Sequence, residues 1–128
     1  MALRDQLRIL VVDDMSTSRG LITQALEGFG VRNIATASDG ESALERLARE
    51  PVHLVISDYN MPGMDGLSLL ERLRGSGRTE GVGFLLITGR ADASVVERGH
   101  SLRMNNLLRK PFQPSELKAA IEAVVGRL

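Results

Sequence analysis

The chain alternates short, continuous apolar runs with longer segments in which apolar residues recur every three or four positions. Continuous runs are typical of strands buried on both faces, and the wider spacing is typical of amphipathic helices. Strands are predicted in this way at residues 8–12, 33–37, 54–58, 84–87 and 106–110. A helical pattern follows each of them, so the sequence predicts a strand and a helix repeated five times.

Capping residues and helix breakers predict where the helices begin and end. The first helix has an apolar face that includes Leu21, and Gly28 and Gly30 close it. Ser38 and Glu41 have the spacing of a capping box, which predicts the start of the second helix. Pro114 suits the first turn of the last helix, whose apolar face follows the 3.6-residue period.

This alternation predicts an α/β fold, with a parallel sheet covered by helices on both faces. Right-handed crossovers bring the carboxyl end of every strand to one edge of such a sheet, where binding sites form. Five polar residues stand at or just after predicted strand ends, and we expect them to converge. They are Asp13, Asp14, Asp58, Thr88 and Lys110.

Length and composition narrow the classes of function. With 128 residues the chain predicts one domain over residues 1–128, with no attached output domain. The absence of cysteine excludes disulfides and thiolate metal sites. Sixteen acidic residues balance sixteen basic ones, so no overall field favours nucleic acid or anionic lipid. No apolar run suits a membrane span or signal peptide, so we expect a cytoplasmic protein without nucleic-acid or membrane partners.

Three carboxylates brought together repel one another unless they hold a cation. A set of oxygen ligands without His or Cys indicates Mg²⁺, with Mn²⁺ as a substitute. The hydroxyl of Thr88 and the compact ammonium of Lys110 are donors that complete a phosphoryl site. Taken singly, Asp13 and Asp14 would also suit helix capping, and Lys110 a solvated charge.

Together these residues resemble the bacterial response-regulator receiver domains, and among them the single-domain chemotaxis regulators. The motifs that carry the resemblance occur in order along almost the whole chain. They are Val11–Asp14, Ser57–Pro62, Met64–Gly66, Ile87–Thr88 and Lys110–Phe112. The resemblance implies a flavodoxin-like, doubly wound sheet of strand order 2-1-3-4-5 with five helices.

The resemblance also implies a function for each site residue. Asp58 would accept a phosphoryl group from a histidine kinase of the chemotaxis type. Asp13, Asp14, Asp58 and the backbone carbonyl of Asn60 would hold Mg²⁺. Thr88 would hydrogen-bond the phosphoryl group, and Lys110 would pair with it.

The protein implied is a monomeric phosphoacceptor switch rather than an enzyme, with slow autodephosphorylation. A flagellar motor switch protein is the leading target for such a switch. A phosphate sink or a phosphorelay shuttle is the alternative within the same chemistry.

Two positions depart from the family pattern. Leu107 stands where these regulators usually carry Tyr or Phe, which predicts a muted rearrangement of the fifth strand on phosphorylation. Arg90, two residues after Thr88, places a cation at the rim of the site and is predicted to alter the lifetime of the phosphorylated state.

Two other classes share parts of this pattern. A flavin-binding module of the same topology would need a Ser/Thr-rich phosphate loop where Asp13 and Asp14 stand, together with aromatic residues that this chain largely lacks. An aspartyl phosphatase would usually carry a second Asp two residues after its nucleophile, where this chain has Asn60. Flavin titration and a phosphate-ester assay distinguish these hypotheses from the phosphoacceptor.

Overall fold

A computed structural model describes residues 2–128 and contains a five-stranded parallel sheet. The strands are β1 (Arg8–Val12), β2 (Asn33–Ala37), β3 (Leu54–Asp58), β4 (Gly83–Thr88) and β5 (Asn106–Arg109). Their order in the sheet is β2-β1-β3-β4-β5, which confirms the predicted flavodoxin-like topology. The last strand ends one residue earlier than predicted, so Lys110 lies just beyond it.

Six helices accompany the strands. They are α1 (Leu3–Gln6), α2 (Ser16–Gly28), α3 (Gly40–Arg49), α4 (Gly66–Arg74), α5 (Ala93–Ser101) and α6 (Pro114–Val125). The five predicted helices are all present, and α1 is an addition of a single turn, too short to show a helical period. No helix within residues 2–128 is long and apolar enough to cross a membrane.

The helices cover the sheet as two layers, each with its own part of the core. Helices α3, α4 and α5 pack on one face, against side chains that include Leu10 and Leu86. Helices α2 and α6 pack on the other face, against side chains that include Ile9 and Leu85. Neighbouring residues of one strand therefore point into different layers, which explains why the central strands are apolar without interruption.

Two predicted details of the helices are wrong. Leu21, assigned to the buried face of α2, has 64% of its surface exposed, whereas Ile22 and Leu26 make the buried stripe. Ser38 does not cap α3; the side chain of Asp39 does so, accepting a hydrogen bond from the Ser42 backbone N–H at 2.7 Å. Both Ser and Asp are good capping residues, so local sequence did not distinguish them.

The amino edge of the sheet, beside β4 and β5, is held by the guanidinium of Arg74. All five of its N–H donors are hydrogen-bonded, at distances from 2.8 to 3.2 Å. The acceptors are the carbonyl oxygens of Glu80, Val82, Leu102 and Arg103 and the Oδ1 of Asn105. We call these six residues the Arg74 cluster. It ties the end of α4 to the segments that precede β4 and β5.

Candidate functional site

The carboxyl edge of the sheet brings together the polar residues that the sequence placed at strand ends. A cavity of about 270 Å³ opens there, beyond the ends of β1, β3 and β4. Its lining contains Asp14, Asp58, Thr88 and Lys110, and Asn60 and Arg90 border it as well. The predicted convergence of these residues is therefore confirmed.

Asp13, Asp14 and Asp58 form an acidic cluster in which one carboxylate oxygen of each lies within 4.8 Å of the others. Asp13 is fully buried, and its Oδ1 accepts a hydrogen bond from the Met15 backbone N–H at 3.0 Å. Its Oδ2 is buried and has no hydrogen-bond partner among residues 2–128. A buried acceptor left without a donor is costly, so this oxygen indicates a site built for a ligand.

Lys110 lies beside the acidic cluster, with its Nζ 2.9 Å from Oδ1 of Asp58. Burial raises the pKa of the Asp58 carboxyl; the hydrogen bond and charge of Lys110 oppose this rise, while the charges of Asp13 and Asp14 add to it. One ammonium thus faces three carboxylates, and the cluster keeps an excess of negative charge. A divalent cation would balance that excess.

The backbone around Asp58 is fixed by its neighbours. The hydroxyl of the buried Ser57 donates to the Asp58 carbonyl at 2.9 Å. The backbone N–H of Tyr59 donates to the Ile87 carbonyl at 2.9 Å, which extends the pairing of β3 and β4 past the acidic residue. Gly66 closes the same turn, because a Cβ at this position would lie 2.5 Å from the Asp58 carbonyl oxygen. Position 66 therefore requires glycine.

Thr88 lies at the cavity, but its hydroxyl is engaged with the backbone of its own turn. It donates to the Arg90 carbonyl at 3.0 Å and accepts from the Arg90 backbone N–H at 2.9 Å. The Arg90 side chain is 80% exposed, and its nearest carboxylate is Asp92, at 4.0 Å. A ligand that accepts a hydrogen bond from Thr88 would therefore replace the Arg90 carbonyl as the acceptor of this hydroxyl.

Leu107 does not reach the cavity. It is half-buried on β5, where it pairs in register with Leu86 and packs against the core beneath α3, α4 and α5. Any influence of this residue on the site has to pass through β4, which carries Thr88 at its end.

The acidic cluster suits a hard divalent cation by its donors and its geometry. All its side-chain ligands are carboxylate oxygens, and Asp13 Oδ2 needs a partner. The ammonium of Lys110 and the hydroxyl of Thr88 lie on the same cavity, where they can bind a tetrahedral oxyanion next to the cation. The arrangement places a buried carboxylate, that of Asp58, beside the charges that such an oxyanion requires.

Sequence reasoning missed a groove next to this cavity. It lies between α2 and the segment after β5, has a volume of about 660 Å³, and is lined mainly by apolar side chains. Met15 and Leu21, the two large apolar residues most exposed among those described, are 59% and 64% exposed and lie on it. The sequence feature that could have predicted this groove is Leu21, an apolar residue next to the buried positions Ile22 and Leu26 of α2 but not among them.

Comparison with known proteins gives a consistent family. A model of the response regulator receiver domain matches residues 9–122. A probable chemotaxis protein CheY of Rhizobium etli is 42% identical over 128 residues, which is 100% of this chain and 99% of the relative.

Solved structures agree with this match. The chemotaxis protein CheY4 of Vibrio cholerae superimposes with a TM-score of 0.87 at 27% identity, covering 92% of this chain and 98% of that one. The receiver domain of the sensor histidine kinase PA1611 of Pseudomonas aeruginosa, solved with a magnesium ion in its active site cleft, has a TM-score of 0.84 at 26% identity. It covers 94% of this chain and 98% of that one.

Proposed function

The chain belongs to the response regulator receiver domain family, whose members act in two-component signalling, and from that premise we propose that Asp58 accepts a phosphoryl group from a histidine kinase. The observation that carries this proposal is the 2.9 Å contact between Lys110 Nζ and Asp58 Oδ1 inside the acidic cluster. This contact supports Asp58 as the acceptor, because it places the Lys110 ammonium where it can balance charge on the oxygens of the incoming phosphoryl group.

The proposed transfer is an in-line displacement. A carboxylate oxygen of Asp58 attacks the phosphorus of a phosphohistidine, and the phosphorus–nitrogen bond breaks as the imidazole leaves with the electron pair. Lys110 then pairs with one phosphoryl oxygen, and the Thr88 hydroxyl leaves the Arg90 carbonyl to donate to another. In a separate, slow autodephosphorylation, water attacks the phosphorus and the Asp58 carboxylate leaves, which releases inorganic phosphate. The protein is thus a switch rather than a metabolic enzyme.

Mg²⁺ is the proposed resident cation, with Mn²⁺ as a substitute. The carboxylates of Asp13, Asp14 and Asp58 and the backbone carbonyl of Asn60 would hold it. When bound, such an ion neutralises charge on the phosphoryl oxygens. The magnesium ion in the Pseudomonas receiver domain supports this choice.

The proposed partners are a chemotaxis-type kinase and a flagellar motor switch protein, met by a cytoplasmic monomer. The names of the Rhizobium and Vibrio relatives support chemotaxis. A phosphate sink or phosphorelay shuttle is the alternative, and it would need no motor partner.

The apolar groove with Leu21 on its rim lies next to the Asp58 cavity, and we propose that it contacts the part of the kinase that carries the phosphohistidine. Leu21→Glu is expected to slow labelling by the kinase while labelling by a small phosphodonor stays unchanged.

Arg90 is proposed to set the lifetime of the aspartyl phosphate. Its side chain is exposed at the rim of the cavity, where it can attract phosphoryl oxygens and crowd the path of the attacking water. Arg90→Ala is expected to change the decay rate of labelled protein; an unchanged rate would show that Arg90 is merely solvated.

Intact-mass measurement after incubation with Mg²⁺ and a small-molecule phosphodonor tests the function directly. One added phosphoryl group is expected, because the site itself supplies the metal ligands and Lys110. Asp58→Asn should take up none, and excess chelator should prevent labelling of the native protein. Label that persists in Asp58→Asn would overturn the assignment.

A further inference from the structure

A second cavity lies at the amino edge of the sheet, beside β1 and β2 and at the opposite ends of these strands from the acidic cluster. Its volume is about 270 Å³. Three arginines line it, Arg8 from the start of β1, Arg32 from the segment before β2 and Arg46 from α3. The apolar part of its lining consists of Ile9, Ile34, Ala35, Pro51 and Val52. The cavity therefore combines cationic and apolar surface.

The charge of this cavity contrasts with that of the whole chain. The chain has a formal net charge of +0, yet the lining contains three arginines and a single carboxylate, that of Glu50. Arg8, Arg32 and Arg46 belong to three separate segments, so their proximity arises from the fold and not from one basic run. A concave surface that gathers one sign of charge concentrates ions of the opposite sign.

The carboxylates near these arginines pair with them only loosely. Arg46 lies 4.0 Å from Glu50, and its Nε is shielded from water without a hydrogen-bond partner among residues 2–128. Arg32 lies 3.7 Å from Asp5, in a pair where the arginine side chain is 79% exposed. Exposed pairs of this kind are weak. The guanidiniums thus remain able to bind another anion.

We propose that this cavity binds a small, soluble organic phosphate, with its phosphate on the arginines and its body on the apolar lining. A guanidinium donates two parallel hydrogen bonds to a phosphate, and rotation of the Arg46 head would give its Nε the acceptor it lacks. The volume lies just below the usual range for ligand pockets of about 300–1,000 Å³, which favours a small molecule over a polymer. The site is separate from Asp58 and goes beyond the phosphoacceptor function.

Phenyl phosphate is a suitable probe, because it joins a phosphate to a small apolar body. Titration into ¹⁵N-labelled protein is followed by backbone amide shifts, with a chelator present so that no metal-bound phosphate forms at the acidic cluster. Saturable shifts are expected at residues 8, 32–35, 46 and 52. Inorganic phosphate should bind more weakly at the same residues, and phenol more weakly still.

Arginine variants test the role of the guanidiniums. Arg46→Gln should weaken phenyl phosphate binding about tenfold, the effect of losing one charge-assisted hydrogen bond. Arg46→Lys keeps the charge but loses the paired N–H donors of the guanidinium, so its affinity should lie between those of the native protein and Arg46→Gln. Arg72→Gln is the matched control, because Arg72 is exposed on α4 and lies outside this lining. Amide dispersion shows that each variant folds.

Three results would overturn the proposal: the absence of saturable shifts in this region, shifts confined to residues 58, 88–90 and 110, or equal weakening by Arg72→Gln and Arg46→Gln. The second would place the phosphate at the acidic cluster, and the third would indicate general attraction to surface charge. Asp58→Asn should bind phenyl phosphate as the native protein does. Failure of this site and failure of the phosphoacceptor assignment are therefore distinguishable.

Discussion

The Arg74 cluster and the acidic cluster lie at opposite edges of one sheet and treat buried charge in opposite ways. At the amino edge a single guanidinium has an acceptor for each of its five donors. At the carboxyl edge three carboxylates face one ammonium, and Asp13 Oδ2 has no donor among residues 2–128. The first arrangement stabilises the fold, whereas the second keeps an excess of negative charge that a bound cation would balance.

Burial acts on both charges, and the surroundings decide the outcome. Burial lowers the pKa of Arg74, with Arg103 as a smaller cause, but four carbonyl oxygens and an amide oxygen solvate the guanidinium in place of water. Burial raises the pKa of Asp58, and the neighbouring carboxylates add to the rise. Substitutions at the two edges should therefore change stability in opposite directions.

Breaking the amino edge should have the largest effect on stability. Arg74→Ala removes hydrogen bonds that join three segments, so the free energy of unfolding should fall by about 3 kcal/mol. Denaturant titration measures this, and Arg72→Ala, an exposed neighbour on α4, should change stability by less than about 0.5 kcal/mol. Labelling at Asp58 should survive in the folded Arg74→Ala protein. If labelling were lost instead, the two edges would not be separable.

Removing one carboxylate from the acidic cluster should increase stability, in contrast to the loss expected for Arg74→Ala. Asp13→Asn lowers the repulsion and places an amide donor next to its neighbours, so in chelator it should stabilise the protein by about 1 kcal/mol. Mg²⁺ should stabilise the native protein by binding its folded state, and it should stabilise Asp13→Asn much less. Thermal unfolding with Mg²⁺ and with chelator provides the comparison. A destabilised Asp13→Asn in chelator would contradict the view that the cluster is strained without its cation.

The raised pKa of Asp58 predicts a smaller effect that depends on pH. The folded protein holds this proton more tightly than the unfolded chain, whose carboxyl titrates near 3.8. The resulting stability is fully present below that pH and is lost as pH rises through the folded pKa. In chelator, the free energy of unfolding of Asp58→Asn should therefore increase relative to that of the native protein as pH rises from about 4 to 7. A gain that grew as the pH fell would show that the attraction of Lys110 outweighs burial.

The smallest effect concerns how a change at Asp58 reaches β5. Leu107 is half-buried and has no hydroxyl, so it can keep the same packing in the unphosphorylated and the phosphorylated protein. Thr88 and the backbone after it should therefore carry the structural response to phosphorylation. With Mg²⁺ and beryllofluoride, a phosphoryl mimic, amide shifts at residues 106–109 should be small. Leu107→Tyr should enlarge them, and Thr88→Ala should abolish them. If Thr88→Ala leaves these shifts intact, the coupling runs elsewhere.

Local patterns were enough to predict the frame of this protein. Apolar runs predict all five strands, and the rule for parallel sheets is enough to place Asp13, Asp14, Asp58, Thr88 and Lys110 at one edge. This succeeds because burial on both faces leaves a strong apolar signal in the central strands β1, β3 and β4. The same apolar runs leave the order of the strands open, and the family resemblance supplied that order.

Interactions between distant segments set the rest. The acceptors of Arg74 lie up to 31 positions away, and nothing around Arg74 distinguishes it from the exposed Arg72. The gathering of Arg8, Arg32 and Arg46 in one cavity and the turn that engages the Thr88 hydroxyl depend in the same way on how the segments meet. Apolar periodicity records which side of an element is buried. The hydrogen-bond and ion-pair partners of polar groups depend on how distant segments pack together. This packing produces no periodic pattern in the sequence.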